Sequence, residues 1–441
     1  MVKQWIEQKI EGRPNLKKII GNTWWLFFDK MVRMGLSLVV GLWVARYLGP
    51  ARFGMLNNAI AFATLFGAFA TLGLESFVIQ DVIKSPAKRL SILGTAFYLK
   101  LIAGSITYVF AIISIMLLKP GDEDQIDRFL VYLISAGIIF QSLDVIDYYF
   151  QSQTKSKYTV WAKTSMFLML SGAKVVFILL NASVDLFAVV SLLELVLNGV
   201  ALMYIYQRKE NYLSQWKFDK SIAQSLLAQS WPFYLAYIAS FIYMKIDQIM
   251  IGTMLGDKPA GLFAASTKLY EIPFFIVLIF SSSVFPSLVS FYEKDKVLFY
   301  KRYSQITGLY TLIGYGVLIF VLAFGSFLIN LLFGKEYVEA FPILSIQIIG
   351  MFFLFNAGLR SSYLTITSNQ KIIMITAILS AVLNVLLNFF LIPLYKTIGA
   401  AIATAVTQFF SLFLLNLLFS KTKEIFNIQL KSLLLFPILK P

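Results

Sequence analysis

Neither cysteine nor histidine occurs anywhere in the 441 residues. Their absence removes thiol nucleophiles, disulfides, iron–sulfur ligands, the usual zinc ligands and the common neutral-pH proton carrier, so no metal site and no cofactor is expected. A chain without thiols is indifferent to its redox compartment. Charge is scarce as well: Asp, Glu, Lys and Arg make up 14% of the chain, while hydrophobic residues make up 59%. A water-soluble fold cannot hide that much apolar surface, so the bilayer is the solvent for most of this protein.

What is present is a succession of apolar windows of about 20 residues, cut by charges and turn residues. They place twelve spans near 23–46, 56–78, 92–118, 129–151, 159–181, 184–207, 229–254, 261–290, 303–332, 339–366, 372–394 and 398–420. The fold class expected is an all-α integral membrane protein with about 12 transmembrane helices in two six-helix lobes. The longest connection, "RKENYLSQWKFDKSIAQS" from Arg208, has no room for a soluble domain and reads as the joint between the lobes. The organisation expected is therefore a tail over 1–22, an N-lobe over 23–207, a linker over 208–228, a C-lobe over 229–420 and a second tail over 421–441. The stretch "MVKQWIEQKIEGRPNLKKII" has neither the apolar core nor the cleavage site of a secretory signal and reads as a short amphipathic helix at the membrane surface.

The net charge of +15 does not point to nucleic acid, because the lysines sit in short loops between apolar spans rather than on a folded polar surface. It points to orientation. The tails and the loops after even-numbered spans hold twenty-four Lys and Arg, against seven on the other side, namely Arg46, Arg52, Lys119, Arg128, Lys258, Lys335 and Lys396. The positive-inside rule then puts both termini in the cytoplasm and the acidic loop "GDEDQID" outside, as a solvated charge run.

Two stretches resemble each other. "YLGPARFG" joins spans 1 and 2 through Gly49 and Gly54, and "TMLGDKPAG" joins spans 7 and 8 through Gly256 and Gly261, an offset of 207 in both pairs. "QTKSKYTVWAKT" before span 5 and "TSNQKIIMITA" before span 11 align with Lys157 on Lys371, an offset of 214. Two matches at nearly equal offsets indicate two related six-span lobes in the same orientation, with these glycines as hinges. Prolines Pro232, Pro273, Pro286, Pro342 and Pro393 lie in or beside spans of the second half and would permit bending.

Ionisable side chains at bilayer depth are costly, and each calls for a partner, a cavity or a function. At mid-depth lie Asp29, Lys30, Arg33, Lys100, Lys174 and Glu194 in the first half, and Lys245, Asp247, Lys268 and Glu271 in the second. Glu75, Asp144, Asp147, Lys163 and Arg360 lie nearer the cytoplasmic ends. Asp29 with Arg33 and Lys268 with Glu271 are spaced to pair on one helix face. Lys163 and Lys174, eleven residues apart, share a face about 16 Å apart along the axis. Span 5 carries no acid to offset them, so Lys174, with Lys100 and Lys30, is expected to line a hydrated cavity. Asn384 and Asn388 are spaced to bind a neighbouring helix as interhelical glue. No His, and no ordered acidic set outside the acidic loop, offers an external catalytic site, so the chain is not expected to be an enzyme.

The segment from Asn22 to Ser76, with its "VARYLGPARFG" hinge, resembles the first two helices of the Wzx-type polysaccharide-biosynthesis flippases of the multidrug/oligosaccharidyl-lipid/polysaccharide exporter superfamily. "DVIDYYFQSQTKSKY" is similar to that family's aromatic-F-Q segment, and "LNVLLNFFLIPLYKTIGAAIATAVTQ" to its N-x-x-x-N…P…G-A-A-x-A-T segment. The resemblance spans nearly the whole chain. It implies a MATE-like fold in which two lobes flank a cavity that opens alternately to each side of a bacterial inner membrane. It implies as cargo an oligosaccharide on an undecaprenyl-pyrophosphate-type lipid, with membrane lipid, a polymerase and glycosyltransferases of the same pathway as partners. The family's cavity cations map onto Lys30, Arg33, Lys100, Lys174 and Lys245. The chain departs from the pattern in its acids, which leaves Asp29, Glu194, Asp247 and Glu271 as candidates either for ion coupling or for plain pairing. An ion-coupled antiporter of organic cations from the same superfamily is the alternative.

Overall fold

A computed structural model describes residues 14–121, 124–210 and 213–434. Lys3, Lys9 and Arg13 of the N-terminal tail, Asp122 and Glu123 of the acidic loop, and the last residues of the chain lie outside the described residues. Among the described residues every regular element is a helix: α1 Pro14–Ala70, α2 Glu75–Lys84, α3 Arg89–Leu118, α4 Gln125–Ser135, α5 Val145–Ser152, α6 Lys157–Leu179 and α7 Val184–Lys209 in the first half. The second half contains α8 Lys220–Met254, α9 Asp257–Lys294, α10 Lys296–Leu332, α11 Phe341–Asn356, α12 Arg360–Ile366, α13 Gln370–Leu412 and α14 Lys423–Leu433.

Ten helical stretches among the described residues are long and apolar enough to cross a membrane. Two of them, 61 and 48 residues long, cover two of the expected spans each. A straight 61-residue helix would be about 90 Å long, roughly three times the hydrocarbon core. Within them, α1 and α13 are each interrupted by one non-helical residue, Gly49 at φ 70°, ψ 170° and Lys396 at φ 55°, ψ −136°.

The helices are patterned for lipid. Along α3, Ile102, Ile106, Val109, Phe110 and Ile113 are exposed, whereas Lys100, Gly104, Thr107, Ala111 and Ile115 are buried. Large apolar side chains therefore face outward and small or polar ones face the protein, the reverse of a helix in water.

The chain packs as two units, one of residues 1–44 and 62–234, the other of 45–61 and 235–441. In the first, Leu74, Val78, Leu93, Tyr149, Phe150, Tyr206 and Trp216 form one core. Trp216 donates its indole N–H to the Tyr206 hydroxyl at 3.1 Å and meets that ring edge-on. The 208–228 segment, expected as a plain joint, thus contributes a core residue, and it turns helical at Lys220 rather than at 229. Asp219 explains the early start, since its carboxylate accepts from the backbone N–H groups of Ser221 and Ile222 and from the Ser221 hydroxyl. The Ser221 hydroxyl and those two backbone groups hold its carboxyl below the usual carboxylate range.

The same unit bends in its fourth span, where nine residues, Ala136–Asp144, wind as a 3-10 helix between α4 and α5. Runs of that length are uncommon, and the tighter winding rotates the succeeding residues relative to a regular helix. The overwound segment lies close to its neighbours: Gly137 abuts Leu195, and the backbone of Ile138 and Ile139 abuts Gly104.

In the second unit, the tail expected after 421 forms α14 and docks on α10 and α11. Tyr315 donates to the Leu433 carbonyl at 3.1 Å, and the Asn356 amide donates to Ser432 Oγ at 2.9 Å and Thr311 Oγ1 at 3.0 Å.

The internal repeat is visible in the backbone. Gly49 and Gly256 share a left-handed φ with extended ψ, at 70° and 170° and at 88° and −169°. Thr154 and Ser368, at an offset of 214, are both left-handed non-glycine residues, with φ of 53° and 57°. The turns around them share their hydrogen bonds: Lys155 N–H to the Phe150 carbonyl matches Asn369 N–H to Leu364, and Thr154 to Gln151 matches Ser368 to Thr365. The bond closing six residues is that of a Schellman helix end. The alignment of Lys157 on Lys371 therefore superposes two copies of one turn.

Candidate functional site

In the first unit, helix packing gathers the membrane-depth charges into pairs. Asp29 and Arg33 bond at 2.8 Å on α1, as their spacing predicts, and Thr164 of α6 donates to the same carboxylate oxygen at 2.5 Å. Arg33 also lies over the Phe167 ring at 5.2 Å. Each step up α1 thus meets one step up α6, beginning with Trp25 against Trp161.

Deeper in the same unit, Lys100 of α3 is buried and donates to the Tyr148 hydroxyl at 3.1 Å, with the Asp144 carboxylate at 3.9 Å. Lys163 of α6 donates to Asp147 at 2.8 Å and has Asp144 at 3.8 Å. Glu75 stands within electrostatic reach of both lysines. The cluster depends on the 3-10 segment, which delivers Asp144, Asp147 and Tyr148 between α3 and α6.

Lys174 has Glu194 of α7 at 3.8 Å. The stripe of Lys163 and Lys174 is therefore not uncompensated. A reading confined to span 5 finds no acid on it, whereas α5 and α7 supply acids from either side. Lys30 is exposed and stands apart from these pairs. The charges singled out within this unit's spans thus number five carboxylates, Glu75, Asp29, Asp144, Asp147 and Glu194, and five cations, Lys30, Arg33, Lys100, Lys163 and Lys174.

The second unit holds a different kind of site. Asp247 of α8 is buried, and its carboxylate accepts from the Asn388 amide at 2.5 Å and from the Thr404 hydroxyl, both on α13. The Asn388 amide also contacts Asn384 Oδ1 at 3.3 Å. No lysine or arginine pairs with Asp247 among the described residues. The Asn384 and Asn388 pair thus serves as more than glue between helices. Thr404, whose only signal is its place in "AAIATAV", escaped the sequence reading. Lys245 is half-buried, Lys268 lies over the Phe53 ring at 5.9 Å and Glu271 is exposed, so these three stand outside the Asp247 cluster.

The two glycine hinges meet within the second unit. A Cβ on Gly54 would run into the Asp257 carbonyl, and one on Gly261 into the Pro50 carbonyl. The contact is reciprocal, because Pro50 and Asp257 are themselves separated by the repeat offset of 207. Next to it, Tyr337 donates to the Ala45 carbonyl at 2.7 Å and meets Phe53 edge-on.

In the loop between α3 and α4, Lys119 and Asp127 form a buried ion pair, and Arg128 donates to the Lys119 carbonyl at 3.1 Å. At Asp127 the expectation of a solvated charge run fails, since the lysine that ends α3 captures the acid that begins α4.

Known proteins resemble the chain in sequence and in fold. Residues 43–342 match the model of a family described as polysaccharide biosynthesis protein. The capsular polysaccharide biosynthesis protein CapF of Staphylococcus aureus is 22% identical, over 89% of this chain and 97% of its own length. A putative O-antigen transporter of Shigella flexneri is 22% identical, over 93% of this chain and 99% of its own. Among solved structures, the lipid II flippase MurJ in an inward closed conformation superposes with a TM-score of 0.70 at 17% identity, covering 95% of this chain and 92% of that one. An inward-facing multidrug resistance MATE transporter gives 0.66 at 14% identity, covering 91% and 95%. The fold is thus that shared by MurJ and MATE transporters, and the chain belongs to the polysaccharide biosynthesis protein family.

Proposed function

We propose that this protein is a flippase that carries a polyprenyl-pyrophosphate-linked oligosaccharide from the cytoplasmic to the outer leaflet of a bacterial inner membrane by alternating access. On this reading the chain makes twelve crossings, the two interrupted stretches each counting twice, with both termini in the cytoplasm. It is a transporter, not an enzyme. Kinship with capsule and O-antigen proteins along most of the chain supports the cargo class. The observation that carries the reading is the set of cations within the spanning helices of one unit, Arg33, Lys100, Lys163 and Lys174, each with a carboxylate beside it.

A lipid pyrophosphate is a strong anion that must pass a hydrocarbon barrier. Lysine and arginine in a hydrated recess lower that barrier by replacing water around the phosphates. Lys30, Arg33, Lys100, Lys174 and Lys245 are the proposed cargo contacts. Asp247, with Asn388, Asn384 and Thr404, is proposed to take the coupling ion, because a buried carboxylate held only by neutral donors gains from an added positive charge. Asp29 and Glu194 act on this reading as partners of Arg33 and Lys174, and Glu271, exposed on α9, is left as a coupling candidate without a cluster. That same buried carboxylate is what favours the second reading, an ion-coupled antiporter of organic cations.

The deciding experiment places the protein in liposomes with a polyprenyl-pyrophosphate oligosaccharide and follows cleavage by an external glycosidase. Protein-dependent exposure of the sugar is the expected result. Failure of exposure together with proton- or sodium-driven efflux of an organic cation would replace the flippase with the antiporter.

A further inference from the structure

We infer that Asp144 is an internal stand-in for the cargo's phosphate, occupying an anion seat between Lys100 and Lys163 that the lipid pyrophosphate takes over on binding. The inference rests on the flippase reading and adds to it both a location for the phosphate and a competitor for it.

The geometry separates the two acids of the cluster. Asp147 is a true partner of Lys163, hydrogen-bonded at 2.8 Å, with a side chain 14% exposed. Asp144 lies 3.9 Å from the Lys100 ammonium and 3.8 Å from that of Lys163, beyond hydrogen-bond distance of both, and its side chain is 38% exposed. Both ammonium groups already have closer partners, Tyr148 for Lys100 and Asp147 for Lys163. The carboxylate of Asp144 is therefore held by charge alone, midway between two cations on different helices and partly exposed. It is the member of the cluster that an incoming anion can displace without breaking a hydrogen bond.

A pyrophosphate suits the vacated seat better than a carboxylate does. It presents more charge and more acceptor oxygens, so it can satisfy both ammonium groups at hydrogen-bond distance while Asp144 swings to water. On this inference the same movement also opens the buried Lys100 to the phosphate. The exchange keeps a lysine pair neutralised in the empty protein, where two bare ammonium groups at membrane depth would be costly. Glu75, near both lysines, and Arg33, near Lys163, are the other charged groups facing the cluster.

The test measures binding of geranylgeranyl pyrophosphate, with geranylgeraniol as the uncharged control, to the full-length protein in nanodiscs. Asp144→Asn removes the competitor and is expected to tighten pyrophosphate binding about fivefold, with the alcohol unchanged. Lys163→Ala is expected to weaken it, and in the Lys163→Ala background the gain from Asp144→Asn should shrink. A gain of affinity is not what a misfolded variant gives, so the sign of the change separates displacement from damage. Wild-type binding of the pyrophosphate with no tightening in Asp144→Asn, or with an equal gain in both backgrounds, overturns the stand-in while leaving the flippase intact. A wild-type protein that does not distinguish the pyrophosphate from the alcohol overturns both.

Discussion

Asp247 is the residue whose surroundings ask most of it. Burial makes its charge costly, and the three α13 residues near it, Asn384, Asn388 and Thr404, offer only neutral donors. Asp247→Asn keeps the shape and removes the charge. It is expected to insert and fold as the wild type does, while transport loses its dependence on an imposed ion gradient. Measuring sugar exposure with and without proton and sodium gradients checks this, and an unchanged gradient dependence would exclude Asp247 as the coupling site. Spacing alone revealed one charge pair, Asp29 with Arg33, because a helix sets the distance between residues four apart. It missed Lys163 with Asp147 and Lys174 with Glu194, whose partners come from other helices, and it missed Thr404, since an uncharged hydroxyl in an apolar run carries no signal of its own.

Among the elements, the hinges explain why Leu-Gly, four residues and Gly occurs twice. The first glycine of each motif takes a left-handed φ that side chains resist, and the second brings backbone against backbone. Gly256→Ala is expected to cost about 1 kcal/mol through strain alone, since open space surrounds that position. Gly261→Ala must instead push the Pro50 carbonyl away, so it should lower thermal stability more than Gly256→Ala does and should impair sugar exposure. Melting curves in detergent and the glycosidase assay compare the two. Equal, small effects at both positions would show that the close approach contributes little. The all-helical membrane fold and the glycine turns were legible because length, hydropathy and glycine are local properties. The 3-10 stretch over Ala136–Asp144 was not, since nothing in "AGIIFQSLD" departs from an ordinary apolar helix, and its winding answers to tight contacts with Gly104 and Leu195.

For the molecule as a whole, the absence of cysteine provides a direct test of topology. Single cysteines introduced at Ser214, Val338 and Lys421, all exposed in the structure, can be labelled without removing native thiols. With both termini cytoplasmic, a membrane-impermeant maleimide added to intact cells should label position 338 and spare 214 and 421. The inverse pattern would turn the protein over with the same crossings, and a mixed pattern would require a different number of crossings. The repeat belongs to this scale too, and the sequence showed it at two places. The backbone adds the paired left-handed turns at Thr154 and Ser368, which composition hides because neither is glycine.

The balance of five carboxylates against five cations singled out within the spans of the first unit bears on how the membrane potential acts. Charges that cancel where the field falls experience little net force from it. The voltage, at about 2.3 kcal/mol per elementary charge for each 100 mV, therefore acts on the cargo and the coupling ion rather than on this part of the carrier. In the stand-in arrangement, Asp144 stays on the carrier whether it lies between the lysines or in water, so the cancellation holds once the phosphate departs. The empty return stroke is then electrically silent for this unit, and the loaded stroke is the one that registers as current.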